Sequence, residues 1–197
     1  MIMSTGIATM DEIQEAVDAC RKNGNNDITL LKCTSSYPAP LNEANLLTIP
    51  DMKKRFSCKV GLSDHSNGNI AACSAVALGA EVIEKHFIID RSIGGPDAAF
   101  SMTKDEFSEM VTRIRETEAT LGYVSYELSE KMKNNRKFSR SLFACKDIKK
   151  GEFFSEENIK SVRPGDGCSP KFLSELLGKV SDRDYSFGEP IKFMTKK

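Results

Sequence analysis

Four strand-like segments, each followed by a helix-like one, recur over the first 121 residues at a spacing of roughly 25 to 30 residues. That rhythm dictates parallel pairing, because each helix returns the chain to the same end of the sheet. Met3 to Gly6 reads as the tail of a strand. Thr9-x-x-Glu12 is then a capping-box pattern before a helix in which Ile13, Ala16, Val17 and Cys20 follow helical spacing, ended by Asn23-Gly24. Ile28 to Thr34 reads as a buried strand, Ser35 to Pro40 as a loop, and Glu43 to Phe56 as a helix interrupted near Pro50. Lys59 to Leu62 is a short strand, Ile70 to Leu78 an apolar helix closed by Gly79, and Glu81 to Phe87 the fourth strand. After a Gly94-Gly-Pro-Asp97 loop, Thr103-x-x-Glu106 caps a helix on which Phe107, Met110, Val111, Ile114 and Leu121 share one face, with Gly122 as the stop.

Units of this size are typical of a (β/α)8 barrel of about 250 residues, so the expected class is α/β and the chain supplies half of such a barrel. A four-stranded open sheet is the alternative. The sequence opens in mid-strand, which leads us to expect an N-terminally truncated fragment, with roughly four further βα units coming from elsewhere to close the barrel. Residues 123–140 are polar and charged and read as a solvated helix or linker between a first domain, 1–122, and a second, 141–197. From Ser141 onward, brief segments separated by turns such as Asp147-Ile-Lys-Lys-Gly151 and Arg163-Pro-Gly-Asp-Gly167 predict a small β-rich fold.

Charge and cysteine usage narrow the partners. Lys plus Arg and Asp plus Glu both total 28, so the basic excess that nucleic acid or an anionic membrane would demand is missing. No apolar run approaches the roughly 18 residues of a membrane span, and the start lacks the layout of a secretory signal, so the cytoplasm is the expected location. The six cysteines, at 20, 33, 58, 73, 145 and 168, are irregularly spaced without Cys-x-x-Cys, which predicts reduced, mostly buried thiols.

The two histidines of the chain, His65 and His86, both lie at the carboxyl end of a strand-like run. Neutral imidazole is the commonest side-chain metal ligand, so equivalent positions on neighbouring strands suggest a divalent-metal site. A histidine at a strand end is also commonly a hydrogen-bonded structural residue, and a spacing of 21 residues does not choose between the two. Active sites of parallel barrels lie at the carboxyl ends of the strands. There this sequence carries Ser4 and Thr5, then Ser35, Ser36 and Tyr37, then Ser63 and Asp64 with His65, then Lys85 with His86, and Asp97 just beyond. Lys85 either neutralises a substrate charge or pairs with Glu84 or a neighbour.

Five ordered motifs resemble the second half of the sialic acid synthase barrel: Ser4-Thr-Gly6, Leu31-Lys-Cys-Thr-Ser-Ser-Tyr-Pro-Ala-Pro40, Gly61-Leu-Ser-Asp-His65, Ile83-Glu-Lys-His-Phe87 and Gly95-Pro-Asp-Ala-Ala-Phe-Ser101. Arg140-Ser-Leu-Phe through Ile148-Lys-Lys-Gly151, with Val162-Arg-Pro-Gly165, resembles the antifreeze-like (SAF) domain that follows the barrel in that family. Within the family the motifs look most like the pseudaminic acid synthase branch, less like the N-acetylneuraminate or legionaminate branches.

The resemblance implies condensation of phosphoenolpyruvate with the open-chain aldehyde of an N-acetylated amino sugar to a nine-carbon 2-keto acid. It implies a divalent ion, Mn2+ or Mg2+, held by His65 and His86, whose imidazoles suit manganese-class ions better than calcium. By motif position Ser4, Ser35 and Ser63 would bind phosphoenolpyruvate, while Tyr37 and Asp97 would orient the sugar and Asp97 would join the two histidines in catalysis. Ser35 stands where some family members have asparagine. Arg163 would reach the barrel of a partner subunit, which implies a homodimer capped by the antifreeze-like domains. The family's main phosphate-binding lysines and a catalytic glutamate belong to the first half of the barrel, so little or no activity is expected of this chain alone. A non-catalytic carbohydrate-binding or assembly module is the alternative.

Overall fold

Strands β1 (Ile2–Ser4), β2 (Thr29–Cys33), β3 (Lys59–Asp64) and β4 (Val82–Lys85) pair in chain order, every pair parallel, in a computed structural model that describes residues 1–192. The sheet is curled as a half-barrel, which decides against the flat open alternative. Helices α1 (Met10–Lys22), α2 (Thr48–Phe56) and α3 (Ile70–Ala77) make the crossovers, and α4 (Lys104–Leu121) follows β4.

Side chains alternate between the faces of a strand, so Leu30, Val60 and Leu62 point to the helices while Leu31, Gly61, Ser63, Val82 and Glu84 take the concave side. On the helix side those leucines and Val60 pack with Val17, Ile49, Met52, Phe56, Ala71 and Ala75. Each large apolar side chain buried there contributes about 1.5–3 kcal/mol. On the concave side Leu31, Gly61 and Val82 are register partners, and Gly61 leaves the space into which the Leu31 side chain and the Val82 backbone close.

Both predicted capping boxes form. Thr9 and Glu12 bond reciprocally at the start of α1, and Thr103 and Glu106 do so at α4. The Thr103 N–H, and then Arg91, hold the Glu106 carboxyl below the usual carboxylate range. The helix predicted from Glu43 is corrected: a short 3-10 turn, Leu41–Glu43, precedes α2, and Pro50 sits inside the first turn of α2 instead of breaking it. First-turn N–H groups have no partner within the helix, so proline is tolerated there. The apolar face predicted for α4 is also narrower than its pattern. Met110 is buried against Ala72 and Met102, with Phe107 and Ile114 beside it, whereas Val111 and Leu121 are exposed. Only Cys33 among the six cysteines is buried and the other five are half-buried, which corrects the expectation of mostly buried thiols.

The chain divides into two compact units at Tyr123 and Val124. The second unit is built on an antiparallel pair, β5 (Ser141–Ala144) with β6 (Ile159–Val162). Isolated bridges Ile148 to Tyr185 and Phe153 to Val180 tie its loops around a core of Leu142, Ile148, Ile159, Leu176, Tyr185 and Ile191. Leu176 ends the one-turn helix α6 (Leu173–Leu176), labelled after α5 (Glu130–Asn135), an exposed helix capped by Ser129. The Gly165 N–H donates to the Lys137 carbonyl at 2.8 Å, so the end of the charged segment is part of this unit. The predicted extent of the second domain, to residue 197, runs past the described residues.

A methyl group at Gly61 would overlap the Val82 carbonyl and the Leu31 side chain. Gly61→Ala is therefore expected to lower stability by about 1–3 kcal/mol, the range for overpacking. Urea denaturation of the two proteins measures the difference, and an unchanged midpoint would show that the strands do not close as tightly as described.

Candidate functional site

The register of the parallel sheet assembles the candidate site. Cys33, Ser63 and Glu84 lie side by side across β2, β3 and β4, and Asp64 is the partner of Lys85. Residues on one row of a parallel sheet share a face, so each further step along the chain alternates the pairs between concave and helix sides. On the concave side the Ser63 hydroxyl donates to Glu84 Oε1 at 2.7 Å. On the other side Lys85 Nζ lies 2.6 Å from Asp64 Oδ2, with both side chains almost fully buried. One residue beyond each of Asp64 and Lys85 come His65 and His86, whose ring centroids are 5.2 Å apart.

His65 is buried, and its Nδ1 lies 3.1 Å from the Thr34 carbonyl oxygen. That oxygen can only accept, so Nδ1 is the donor, and in the neutral ring Nε2 then carries the lone pair, the arrangement typical of a metal-binding imidazole. The Cys33 sulfur is 3.8 Å from the same nitrogen. The Ala39 N–H donates to the His65 carbonyl, and the Met102 N–H donates to that of His86, which pins both backbones. The Tyr37 ring lies against His65 at 4.3 Å between centroids, tilted by 47°, and Phe100 meets His86 edge-on at 5.1 Å. Asp97 Oδ2 is 3.7 Å from His86 Nδ1, an ion-pair distance that is too long for a hydrogen bond. Ser63, His65, Glu84, Lys85 and His86 line one pocket of 250 Å³.

Tyr37, Ser63, His65, His86 and Asp97 are thus brought together. Ser4 is exposed at the end of β1, and Ser35 is exposed with its hydroxyl 3.7 Å from the Cys33 sulfur. Thr5, beside Ser4, donates its hydroxyl to the Leu31 carbonyl. Arg163 belongs to the second unit, exposed just past β6. Lys85 is committed to the Asp64 carboxylate and the Ser66 carbonyl, so of its two sequence readings the ion pair with a neighbour is the one present.

Two residues escaped the sequence reading of roles. Glu84 faces the pocket beside Ser63, which the alternation of β4 places on the same side as His86. Lys32 donates to the Cys33 carbonyl and to Thr34 Oγ1, next to the carbonyl that holds His65, and burial pushes its ammonium below the ordinary lysine range. Among the described residues no group of three His, Cys, Asp or Glu side chains is arranged to hold an ion.

A parallel half-barrel with paired imidazoles at its carboxyl rim, followed by a small β-rich unit, defines a barrel-type enzyme scaffold. Residues 1–126 match the NeuB family and residues 139–193 the SAF domain, and the chain belongs to the NeuB family. It is 51% identical to the pseudaminic acid synthase of Campylobacter jejuni over 97% of its own length and 56% of that protein. With the Helicobacter pylori pseudaminic acid synthase the identity is 44%, over 97% of this chain and 56% of the relative. The crystal structure of the Bacillus subtilis spore coat polysaccharide biosynthesis protein SpsE superposes with a TM-score of 0.59 at 37% identity, covering 100% of this chain and 62% of that one. The chain therefore spans somewhat over half the length of the curated relatives it matches. The resemblance to sialic acid synthases read from the motifs is borne out by these matches.

Removing one partner of a buried ion pair leaves the other charge without compensation, at a cost of about 3–5 kcal/mol. Lys85→Met is expected to destabilise the first unit by that amount in urea melts, because the Asp64 carboxylate stays buried. A loss below about 1 kcal/mol, the value for surface pairs, would contradict the burial described.

Proposed function

We propose that this chain carries the metal-binding rim and part of the substrate floor of a pseudaminic acid synthase-type enzyme. The observation that carries the reading is the pair of imidazoles 5.2 Å apart, with His65 Nε2 left as a lone-pair nitrogen, in a chain of the NeuB family. The reaction joins the methylene carbon of phosphoenolpyruvate to the aldehyde carbon of an N-acetylated amino sugar. One water is consumed, phosphate is released, and the product is a nine-carbon 2-keto acid. The donor set fits a divalent ion, manganese or magnesium: two neutral imidazoles supply nitrogens while substrate oxygens and water complete the shell. Such an ion, when bound, polarises the aldehyde oxygen as a Lewis acid.

The chain's own residues do the rest of the positioning. The Thr34 carbonyl accepts from His65 Nδ1, and the Tyr37 and Phe100 rings pack against the two imidazoles. Asp97, beside His86 and half-exposed, is free to accept from a sugar hydroxyl. Ser63 has its hydrogen on Glu84, so its contact to phosphoenolpyruvate requires the hydroxyl to rotate away from that carboxylate. Ser4 and Ser35 present exposed hydroxyls at neighbouring strand ends for the same substrate. The cation lining the pocket, Lys85, is already neutralised by Asp64, which leaves the phosphate without a counter-charge there. For this reason the chain alone is proposed to turn over slowly or not at all. We place the protein in the cytoplasm, where phosphoenolpyruvate is found; no helix among the described residues is long and apolar enough to cross a membrane.

Calorimetry with Mn2+ tests the core of the reading. Wild type is expected to bind one ion, and His65→Ala to lose affinity by more than the ~10–100-fold typical of an outer-sphere change. Equal binding by the two proteins would refute the two-histidine site. Robust formation of keto acid from phosphoenolpyruvate and the diacetamido-trideoxyhexose by the chain alone would refute the proposal of inactivity.

The finer proposal is a homodimer in which Arg163, on the SAF domain of one subunit, reaches the sugar in the barrel of the other. Its exposure beside a Pro-Gly turn supports this role, since the guanidinium is presented to whatever docks there. Sedimentation is expected to show a dimer. Arg163→Ala is expected to weaken sugar binding while leaving Mn2+ affinity unchanged, and a monomer at working concentrations would overturn the assignment.

A further inference from the structure

We propose that the buried Asp64–Lys85–Ser66 cluster is a positioning clamp that sets the separation of the two imidazoles, a role that rests on the metal reading of His65 and His86. Asp64 immediately precedes His65, Ser66 immediately follows it, and Lys85 immediately precedes His86. Lys85 Nζ donates to Asp64 Oδ2 at 2.6 Å and to the Ser66 carbonyl at 2.6 Å. The other carboxylate oxygen, Asp64 Oδ1, accepts from the Ser66 N–H at 2.8 Å and from the Ser66 hydroxyl at 2.7 Å. The residues on both sides of His65 are thereby tied to the residue before His86.

Geometry explains why such a device is needed. Ladder bonding between β3 and β4 ends at the Asp64 and Lys85 pair, and one residue past it each histidine backbone is pinned to a separate segment, His65 to Ala39 and His86 to Met102, and not to the other. Without a further tie, two loops leaving neighbouring strands could splay, and a shared ion demands that two donors stay within a fixed distance of each other. The cluster has its polar partners within itself, and both charged side chains are almost fully buried, 2% and 3% exposed. An ion pair so placed is a poor source of stability, because desolvation offsets its attraction, but its directional bonds hold one arrangement.

The test separates positioning from stability. Replacing both charged residues by apolar ones of similar size, Asp64→Leu with Lys85→Met, often leaves stability unchanged, yet it removes every bond of the clamp. Because the chain has two histidines, the ring-proton NMR signals of the whole protein reduce to two sets, and a nuclear Overhauser contact between them reads the ring separation with no ion present. Wild type is expected to show that contact, and Mn2+ to broaden both sets. In the double variant the contact is expected to vanish, and broadening to need ~10–100-fold more Mn2+, while the amide fingerprint of the β-sheet stays that of the wild type. An undiminished ring-to-ring contact in the double variant overturns the clamp.

Should the double variant not fold, Lys85→Met alone, which removes both bonds that cross between the strands, decides in its place: a weakened contact supports the clamp and an unchanged one overturns it. The metal reading fails separately, and visibly, if Mn2+ broadens neither histidine of the wild type. The ring-to-ring contact judges the clamp in either case.

Discussion

The in-register parallel pairing of β3 with β4 is the constraint on which the rest of the site depends. It sets Ser63 beside Glu84 on the concave face and Asp64 beside Lys85 on the helix face, and the next residue of each strand is a histidine. A slip of one residue would reverse every one of those orientations, because the side-chain period of a strand is two. If β4 slipped against β3, the Asp64 carboxylate would stay buried on the helix face beside Leu62 without Lys85, and that penalty specifies the register strongly. Function and fold therefore share one determinant here, since the row of bonds that keeps the strands aligned also brings the imidazoles to 5.2 Å.

The buried ion pair shows why specificity and stability need separate accounts. Two charges taken out of water give back most of their attraction as lost hydration, so a lysine and an aspartate at these positions are a costly way to join two strands. Their arrangement with Ser66 nevertheless has both oxygens of the carboxylate and two donations from the ammonium assigned. Apolar contacts such as Leu62 with Ile83 would hold the strands together but would not dictate a bond direction. In a site proposed to hold an ion, direction is the scarce quantity.

Much of the half-barrel was legible because local signals and global fold agree. Thr9 with Glu12 and Thr103 with Glu106 announce helix starts through reciprocal hydrogen bonds that need only four residues of chain. The failures mark places where neighbours decide. Pro50 looks like a helix breaker in one dimension, yet its place in the first turn of α2 makes it harmless. Val111 and Leu121 have the period of a buried face, but burial requires a surface to pack on, and α3 meets only the Met110 side of α4. Irregular cysteine spacing gave no metal motif, and the degree of burial of each thiol depended on packing that spacing does not encode. For the site, the residue types at the strand ends were readable from the strand-and-loop pattern. The commitment of Lys85 to Asp64 and the presence of Glu84 in the pocket were not, because both are pairings across strands 21 residues apart in sequence.

By itself the amino-acid sequence determined the parallel α/β order, the helix starts, and the strand ends at which the polar residues gather, since each follows from periodicity and short-range hydrogen bonding. Only the tertiary structure decided that the sheet curls, that His65 keeps its proton on Nδ1, and that the cation beside the histidines is already neutralised. Those facts depend on distances between residues that the chain separates and the register reunites, and no local pattern carries that information.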